Sequence, residues 1–253
     1  MQAEQFQLHA RIEESHWWFV ARRQIMRRIV ERIVPPSLDK TVVDVGCGTG
    51  GNIAALSADY RCVGIDTSAE AIELAQQRFP KVQFHCGFAP GGLGEDMQRA
   101  NTVLMMDVLE HVENDVGLLS SVMDAVRSGT NFLLTVPADM SLWSQHDESF
   151  GHFRRYDLSS FRALWAGLPV KTLLASHYNS RLYPAIKLVR SLSQLRGQAA
   201  GASGTDFHLP NPLTNKLLQR VFEGEARVLL NALEHDHPAY QHGVSLIAVL
   251  RKN

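Results

Sequence analysis

The sequence predicts an α/β fold: a seven-stranded, mostly parallel sheet with helices on both faces, an N-terminal helix and a helical insertion before the last strand. Three observations carry this. Short β-branched or apolar runs alternate with amphipathic segments from residue 41 to residue 177, the order that builds parallel strands joined by crossover helices. A glycine-rich turn, Gly46–Gly51, separates the first run from the helical segment after it. A last apolar run, Val244–Leu250, has no helix behind it and fits an antiparallel partner at the edge of the sheet.

Composition narrows the class. The 253 residues, 45% hydrophobic and 20% charged, suffice to bury a sizeable core. Lys and Arg number 25 against 26 Asp and Glu, a net charge of -1, so nothing draws the whole chain to nucleic acid and DNA is not an expected partner. Cys47, Cys62 and Cys86 are odd in number and lack CxxC spacing, which argues against a disulfide framework and for a reducing compartment. The start Met1-Gln-Ala-Glu-Gln lacks a signal-peptide pattern, and no run approaches ~18 apolar residues. The expectation is a soluble cytoplasmic protein with no membrane span. No pattern specifies an oligomeric state.

Each element has its own signal. Residues 16–34 form a helix with apolar Trp17, Trp18, Val20, Ile25, Ile29 and Ile33, stopped by Pro35-Pro36. Thr41–Val45 is a buried strand, and Asn52–Ala58 is helical. Cys62–Ile65 is a second strand ending at Asp66, and Thr67 with Glu70 has the capping-box spacing of a helix running to Arg78. Val82–His85, Asn101–Met106, Asn131–Val136 and Val170–His177 are further strands, with helices at Asp115–Val126 and Leu158–Trp165. More than sixty residues separate the last two strands. Their small, polar middle, Gly197–Gly204, reads as a mobile loop, and the flanks Tyr183–Leu195 and Leu213–Leu233 read as helices. The chain is thus one domain, 1–253, with a helical cap over 1–38 and an insertion or lid over 178–242.

A strand, a glycine turn and a helix make a site for a nucleotide-like ligand, because glycine admits the ligand to the backbone and the helix start offers free N–H groups. Asp66, twenty residues after Gly46, can accept both ribose hydroxyls. Gly46-x-Gly48-x-x-Gly51 also spells a dinucleotide fingerprint, so an NAD(P)-binding oxidoreductase stands as one alternative and a packing turn that binds nothing as another. Against them, Asp44 places a carboxylate two residues before the first glycine, and Gly50 adds the tighter GxGxG register.

Asp44–Gly50 with Gly64-Ile-Asp66 resembles motifs I and II of the class I S-adenosylmethionine (SAM)-dependent methyltransferases, a Rossmann-like superfamily. Met105-Met-Asp-Val-Leu-Glu-His-Val112 resembles the end of the fourth strand in the ubiquinone-biosynthesis methyltransferases. Glu14-Ser-His-Trp-Trp-Phe19 and Gly151-His-Phe-Arg-Arg-Tyr156 resemble a bacterial branch of the same superfamily. The resemblance covers most of the chain, more weakly in the insertion. It implies methyl transfer from SAM to a small-molecule or glycan- or lipid-linked acceptor, at a hydroxyl oxygen. A SAM-binding regulator without transferase activity is the remaining alternative. The cofactor residues it implies are Asp44, Gly46, Cys47, Gly48, Gly50, Asp66, Thr67, Met106, Asp107 and Val108. One departure concerns the adenine: many members carry an acidic residue after the third strand, where this chain has Phe88.

Asp107, Glu110 and His111 follow the fourth strand at the carboxyl edge of the sheet, where ligands bind in open α/β folds. On a helical turn, positions i, i+3 and i+4 share a face. The segment His146–His152 follows the fifth strand at the same edge. Asp107-x-x-Glu110-His111 with a later histidine resembles the metal site of the small-RNA 2′-O-methyltransferases. That likeness implies Glu110, His111 and His152 as ligands of a divalent ion, Mg²⁺ or similar. Equally, His111 or His152 serves as a metal-free general base, or Glu110 and His111 cap a helix and bind each other. His111 and His152 are the catalytic candidates.

Other residues admit two readings each. Trp17-Trp18 covers the ligand or packs on the sheet. Arg22 reaches a ligand carboxylate or lies on an exposed helix face. Arg154-Arg155-Tyr156 grips an anionic acceptor, or is solvated or bonded to backbone carbonyls. His235-Asp-His237 with His242 is a metal cluster or an exposed loop. The basic residues of 22–32 touch a membrane surface or are diluted by neighbouring glutamates.

Overall fold

A computed structural model describes residues 3–195, 209–233, 235 and 237–253. The expected loop Gly197–Gly204 and Asp236 lie outside these residues. Seven strands form one sheet: β1 Thr41–Val45, β2 Arg61–Asp66, β3 Gln83–Cys86, β4 Ala100–Met106, β5 Asn131–Pro137, β6 Val170–Tyr178 and β7 Ser245–Lys252. Their order is β3-β2-β1-β4-β5-β7-β6. All pairs among β1 to β5 are parallel, and β7 pairs antiparallel with both β5 and β6. The carboxyl ends of β1, β2, β4 and β5 therefore face one way, and their loops build one ridge.

The place of β7 corrects the sequence reading. It is antiparallel, as expected, but it is wedged between β5 and β6, and β6 takes the edge. Its Leu246–Leu250 core is buried throughout, as an interior strand requires, whereas Lys171 and Thr172 of β6 are exposed.

Side chains alternate across the strands into two apolar layers. Val42, Leu104, Leu133 and Ile247 face one side, with helices α2 (Trp17–Ile33), α3 (Gly51–Ala54), α4 (Ala69–Arg78), α10 (Pro212–Glu223) and α11 (Ala226–Asn231). Val43, Val103, Phe132 and Leu134 face the other, with α5 (Glu95–Arg99), α6 (Asp115–Asp124) and α8 (Leu158–Ala163). The insertion docks on the N-terminal helix: Trp17 meets Phe222 edge-on, and its backbone N–H donates to the Asn215 side chain at 2.9 Å.

Local chemistry moves several boundaries. Ser68, not Thr67, caps α4, accepting from Ala71 N, because Asp66 already accepts Ser68 N–H and delays the helix by one residue. Helix α3 stops at Ala54 rather than Ala58, since Leu56 and Tyr60 must turn into the core. Helix α1 (Ala3–Ile12) lies within the expected helical cap, ahead of the helix read at 16–34, whereas α5 and α7 (Gln145–Phe150) have no counterpart in the sequence reading. Helix α9 (Tyr183–Leu195) fills the first flank of the insertion. No helix among the described residues is long and apolar enough to cross a membrane.

Candidate active site at the carboxyl edge of the sheet

The glycine turn is moored to β2: Gly46 N and Cys47 N both donate to Ile65 O, at 2.8 and 3.0 Å. Two glycines matter for different reasons. Gly46 has φ +72°, and a Cβ there would lie 2.5 Å from Val108 Cγ2, so its bare backbone lets Val108 close over the turn. Gly48 has φ +52° with nothing within 4 Å of where a Cβ would be. It opens onto free space at the ridge, a cradle for a ligand. Its N–H donates to Asp66 Oδ2 at 2.9 Å, while Ser68 N donates to Oδ1 at 2.9 Å. Asp66 is thus fixed by two backbone donors and retains lone pairs for ribose hydroxyls.

Cys47 lies with its sulfur against the floor at Gly64. Burial pushes its thiol well above the usual range, with Asp44 and Asp66 adding to this, so only its backbone can serve a ligand. Thr67 is exposed beside the turn. Met106 is buried at the end of β4. Phe88 is 80% exposed, after the third strand.

Asp44 is 1% exposed, and neither carboxylate oxygen has a hydrogen-bond partner among the described residues. Burial raises its pKa to about 8; Arg22 opposes the shift and Asp66 adds to it. A carboxylate so placed costs stability until a cation or donor satisfies it.

Arg22 does not lie on an exposed helix face. It is 5% exposed, stacked on Trp18 at 4.8 Å, and ion-paired with Asp107 Oδ2 at 2.9 Å. Asp44, Glu110 and Tyr178 also lie within its field. Asp107, at φ +59°, accepts a second bond from the Thr135 hydroxyl at 2.9 Å. Its carboxylate is therefore committed to holding α2 against β4 and β5. The shared helical face expected for Asp107, Glu110 and His111 does not form, because Leu109–His111 is a single 3-10 turn.

The capping reading of Glu110 is also overturned. Glu110 is completely buried, and neither of its side-chain oxygens has a partner among the described residues. Burial and the nearby Asp107 charge push its pKa well up. Its backbone carbonyl instead accepts Phe153 N–H at 2.8 Å, which draws the segment after α7 onto the end of β4. Glu110, His111 and His152 then converge, with one ligand atom from each within 4.8 Å of the others. The two imidazoles stand 4.6 Å apart at 79°. Burial, helped by His152, lowers the His111 pKa to about 4, so that ring is neutral near pH 7.

Behind the histidines lies a fastening that the sequence reading missed. Asp147, fully buried, contacts His152 Nδ1 at 2.9 Å. It also accepts from Arg155 through both oxygens, at 2.8 and 3.0 Å, and from Ser144 N at 2.9 Å. Burial alone would raise its pKa, but the His152 and Arg155 bonds outweigh burial and hold it well below the usual carboxylate range. Arg155 also donates to Ala138 O at 2.9 Å, tying the group to the end of β5. Arg154 and the Tyr156 hydroxyl both reach Asp115, at 2.8 and 2.7 Å. Arg154-Arg155-Tyr156 is therefore an internal clamp, not an anion grip. Ser144 with Asp147 forms a capping box, the sequence signal that could have revealed α7.

Trp17 and Trp18 are partly buried against the core. His235 and His237 stack at 5.7 Å, and His242 lies against Tyr183. Among the described residues, only Glu110, His111 and His152 form a metal-competent group.

A parallel sheet with this reversed last hairpin, a glycine turn after β1 and a carboxylate at the end of β2 define a methyltransferase architecture. The chain belongs to the methyltransferase-domain family, whose model matches residues 19–170. In structure it is similar to a TehB-like SAM-dependent methyltransferase from Corynebacterium glutamicum, at 14% identity and TM-score 0.54, over 91% of this chain and 88% of that one. It is also similar to the plantazolicin methyltransferase BpumL, solved with a monoazolic desmethylPZN analog and SAH, at 16% identity and TM-score 0.59, over 99% and 90% of the two chains. At such identities the likeness is one of fold. No curated protein matches the chain in sequence.

Proposed function

We propose that the chain transfers the methyl group of SAM to a hydroxyl of a small-molecule or glycan- or lipid-linked acceptor. The observation that carries the SAM reading is Asp44: a buried carboxylate without a partner, beneath a glycine turn whose Gly48 opens outward. A ligand with an ammonium group and a ribose satisfies Asp44 and Asp66 together, whereas a dinucleotide leaves Asp44 buried and unpaired. Gly46, Gly48 and Gly50 bring the backbone to the ligand, with Cys47 and Thr67 beside it and Met106 and Val108 flanking it. Asp107 acts indirectly, by holding Arg22 near Asp44.

When bound, SAM supplies a sulfonium methyl whose C–S bond breaks as the bond to the acceptor oxygen forms. His152 accepts the acceptor's proton through the ring nitrogen that Asp147 leaves free. Asp147, kept ionised by Arg155, orients the ring and stabilises the imidazolium that results. Most of the rate comes from holding the two reactants in line. Thermal-shift titration with SAM and with NAD(P), followed by a screen of hydroxylated acceptors for S-adenosylhomocysteine, tests the reading. A response to NAD(P) alone overturns it. Tight SAM binding with no product from any acceptor favours the regulator instead.

Glu110 supports a second reading. Its two unpartnered oxygens beside a neutral His111 fit a divalent ion held by Glu110, His111 and His152, with Asp147 orienting His152 from behind. Such an ion, when bound, acidifies and positions the acceptor hydroxyl. Metal analysis, and assay after chelation with and without added Mg²⁺ or Mn²⁺, separates the two roles of His152.

A further inference from the structure

Helix α9 is built inside out. Its polar side chains turn toward the protein: the Tyr183 hydroxyl and Lys187 Nζ both donate to Asp139 Oδ2, at 2.7 and 3.0 Å, and Arg190 donates to Leu142 O. Its apolar side chains turn outward. Pro184, Ala185, Leu188, Val189 and Leu192 are exposed, Leu188 at 61% and Val189 at 58%. At this spacing they form one continuous stripe. Helix α10 repeats the pattern, with Leu213 at 84% and Leu217 at 62% exposure beside exposed Lys216 and Arg220. A soluble surface scatters single apolar residues, whereas here they are gathered along each of two helices of the insertion.

Charge identifies what covers this face. Between residues 178 and 233 the exposed basic side chains among the described residues are Arg181, Lys216, Arg220 and Arg227, against Glu223, which is half-buried, and Glu225, while Lys187 and Arg190 are turned inward. Glu225 is buried, accepting Ser180 N and Arg181 N. The whole chain, by contrast, carries a net charge of -1. Apolar stripes set among basic residues match the interface of an anionic bilayer, where leucines enter the acyl boundary and Lys or Arg meets the headgroups. Two further exposed apolar residues lie on segments that lead to the site. The turn gripped by α9 follows β5 and carries Met140, which is 58% exposed, while Phe153, next to His152, is 56% exposed.

We propose that α9 and α10 dock the protein on an anionic membrane surface, with the mouth of the site held at the lipid boundary. This stands apart from the identity of the methyl acceptor, because docking is read without turnover. The test is flotation of the purified full chain with phosphatidylcholine vesicles, either pure or containing about a third phosphatidylglycerol. The chain is expected to float with the mixed vesicles, to do so far less with pure phosphatidylcholine, and to be released as salt rises. Leu188→Glu with Leu192→Glu is expected to lower binding more than tenfold, and Lys216→Glu with Arg220→Glu by about tenfold. All four side chains are exposed, so thermal midpoint and SAM affinity are expected to stay unchanged. Absence of binding to the mixed vesicles, or binding indifferent to both variants, overturns the proposal. A concentration-dependent dimer abolished by the leucine variant means that a second copy covers the face. A fall in that variant's thermal midpoint means that the chain itself covers the face. Either result also overturns the proposal.

Discussion

The two halves of the ridge are built on opposite principles. At the β1–β2 half, backbone does the positioning: Gly48 N and Ser68 N hold Asp66, and Ile65 O holds the glycine turn. One carboxylate, Asp44, is left without a hydrogen-bond partner among the described residues. At the β4–β5 half, buried charge does the positioning: Arg22 holds Asp107, and Arg155 holds Asp147, which holds His152. Backbone scaffolds tolerate side-chain changes near them, whereas a buried ion pair fails when one member is removed. In the proposed function the first half holds the cofactor and the second acts on the acceptor.

The largest expected effect separates these halves. His152→Ala is expected to lower the rate of S-adenosylhomocysteine formation by about 10²–10⁴-fold, with SAM affinity by calorimetry within about twofold of wild type. A comparable loss of SAM affinity would show that the halves are one unit. Arg155→Ala follows closely. It strands the buried Asp147 carboxylate and is expected to destabilise the fold by about 3–5 kcal/mol in urea denaturation. Asp147→Ala combined with Arg155→Ala removes both charges, so the double variant is expected to be more stable than the sum of the singles implies.

This contrast also explains what the sequence made legible. The β1–β2 half lies within some twenty-five residues, from Asp44 to Ser68, and its spacing is set by strand and turn geometry, so Asp44, Gly48 and Asp66 could be read directly. The β4–β5 half joins residues far apart: Arg22 to Asp107 and Thr135, Glu110 to Phe153, Asp147 to Arg155. No periodicity reports such pairings. Arg22 therefore reads from sequence as a ligand contact or an exposed helix residue, and Arg155 as an anion grip or a residue solvated or bonded to carbonyls; the buried carboxylate that each one pairs with is not readable there. The order of β7 was hidden for the same reason, because an apolar strand of eight residues does not specify its neighbours. The segments that carry the histidines are placed by topology, after β4 and β5, and His152 within its segment is singled out by the resemblance to the small-RNA 2′-O-methyltransferases.

Asp44 gives a smaller effect whose sign differs between folding and binding. Its folded pKa, about 8, lies above the ordinary 3.8. Its contribution to stability is therefore fully present below pH 3.8 and is lost as pH rises through 8. Asp44→Asn is expected to stabilise the ligand-free protein by about 2 kcal/mol at pH 7 and to flatten its stability profile across that window. The same variant is expected to weaken SAM, because the amide cannot pair with an ammonium group. In the wild type, SAM affinity is expected to rise as pH approaches 8, as ionised Asp44 becomes available. Chemical denaturation and calorimetry across pH 4–9 check both limbs; a variant that loses stability and affinity together would make Asp44 a structural residue.

The smallest effects test how the glycine turn divides its work. Gly48→Ala meets no protein atom within 4 Å but must hold φ +52°, so about 1 kcal/mol of backbone strain is expected. Its methyl group projects into the cradle, and SAM affinity is expected to fall by more than that strain accounts for. Gly46→Ala carries similar strain, and its Cβ also meets Val108 Cγ2 at 2.5 Å, so its loss should appear mainly in stability. Val108→Ala clears that overlap and is expected to restore part of the stability of Gly46→Ala while doing nothing for Gly48→Ala. Rescue of both by Val108→Ala would mean that Gly48 faces the protein rather than the ligand, and the division between the two glycines would collapse.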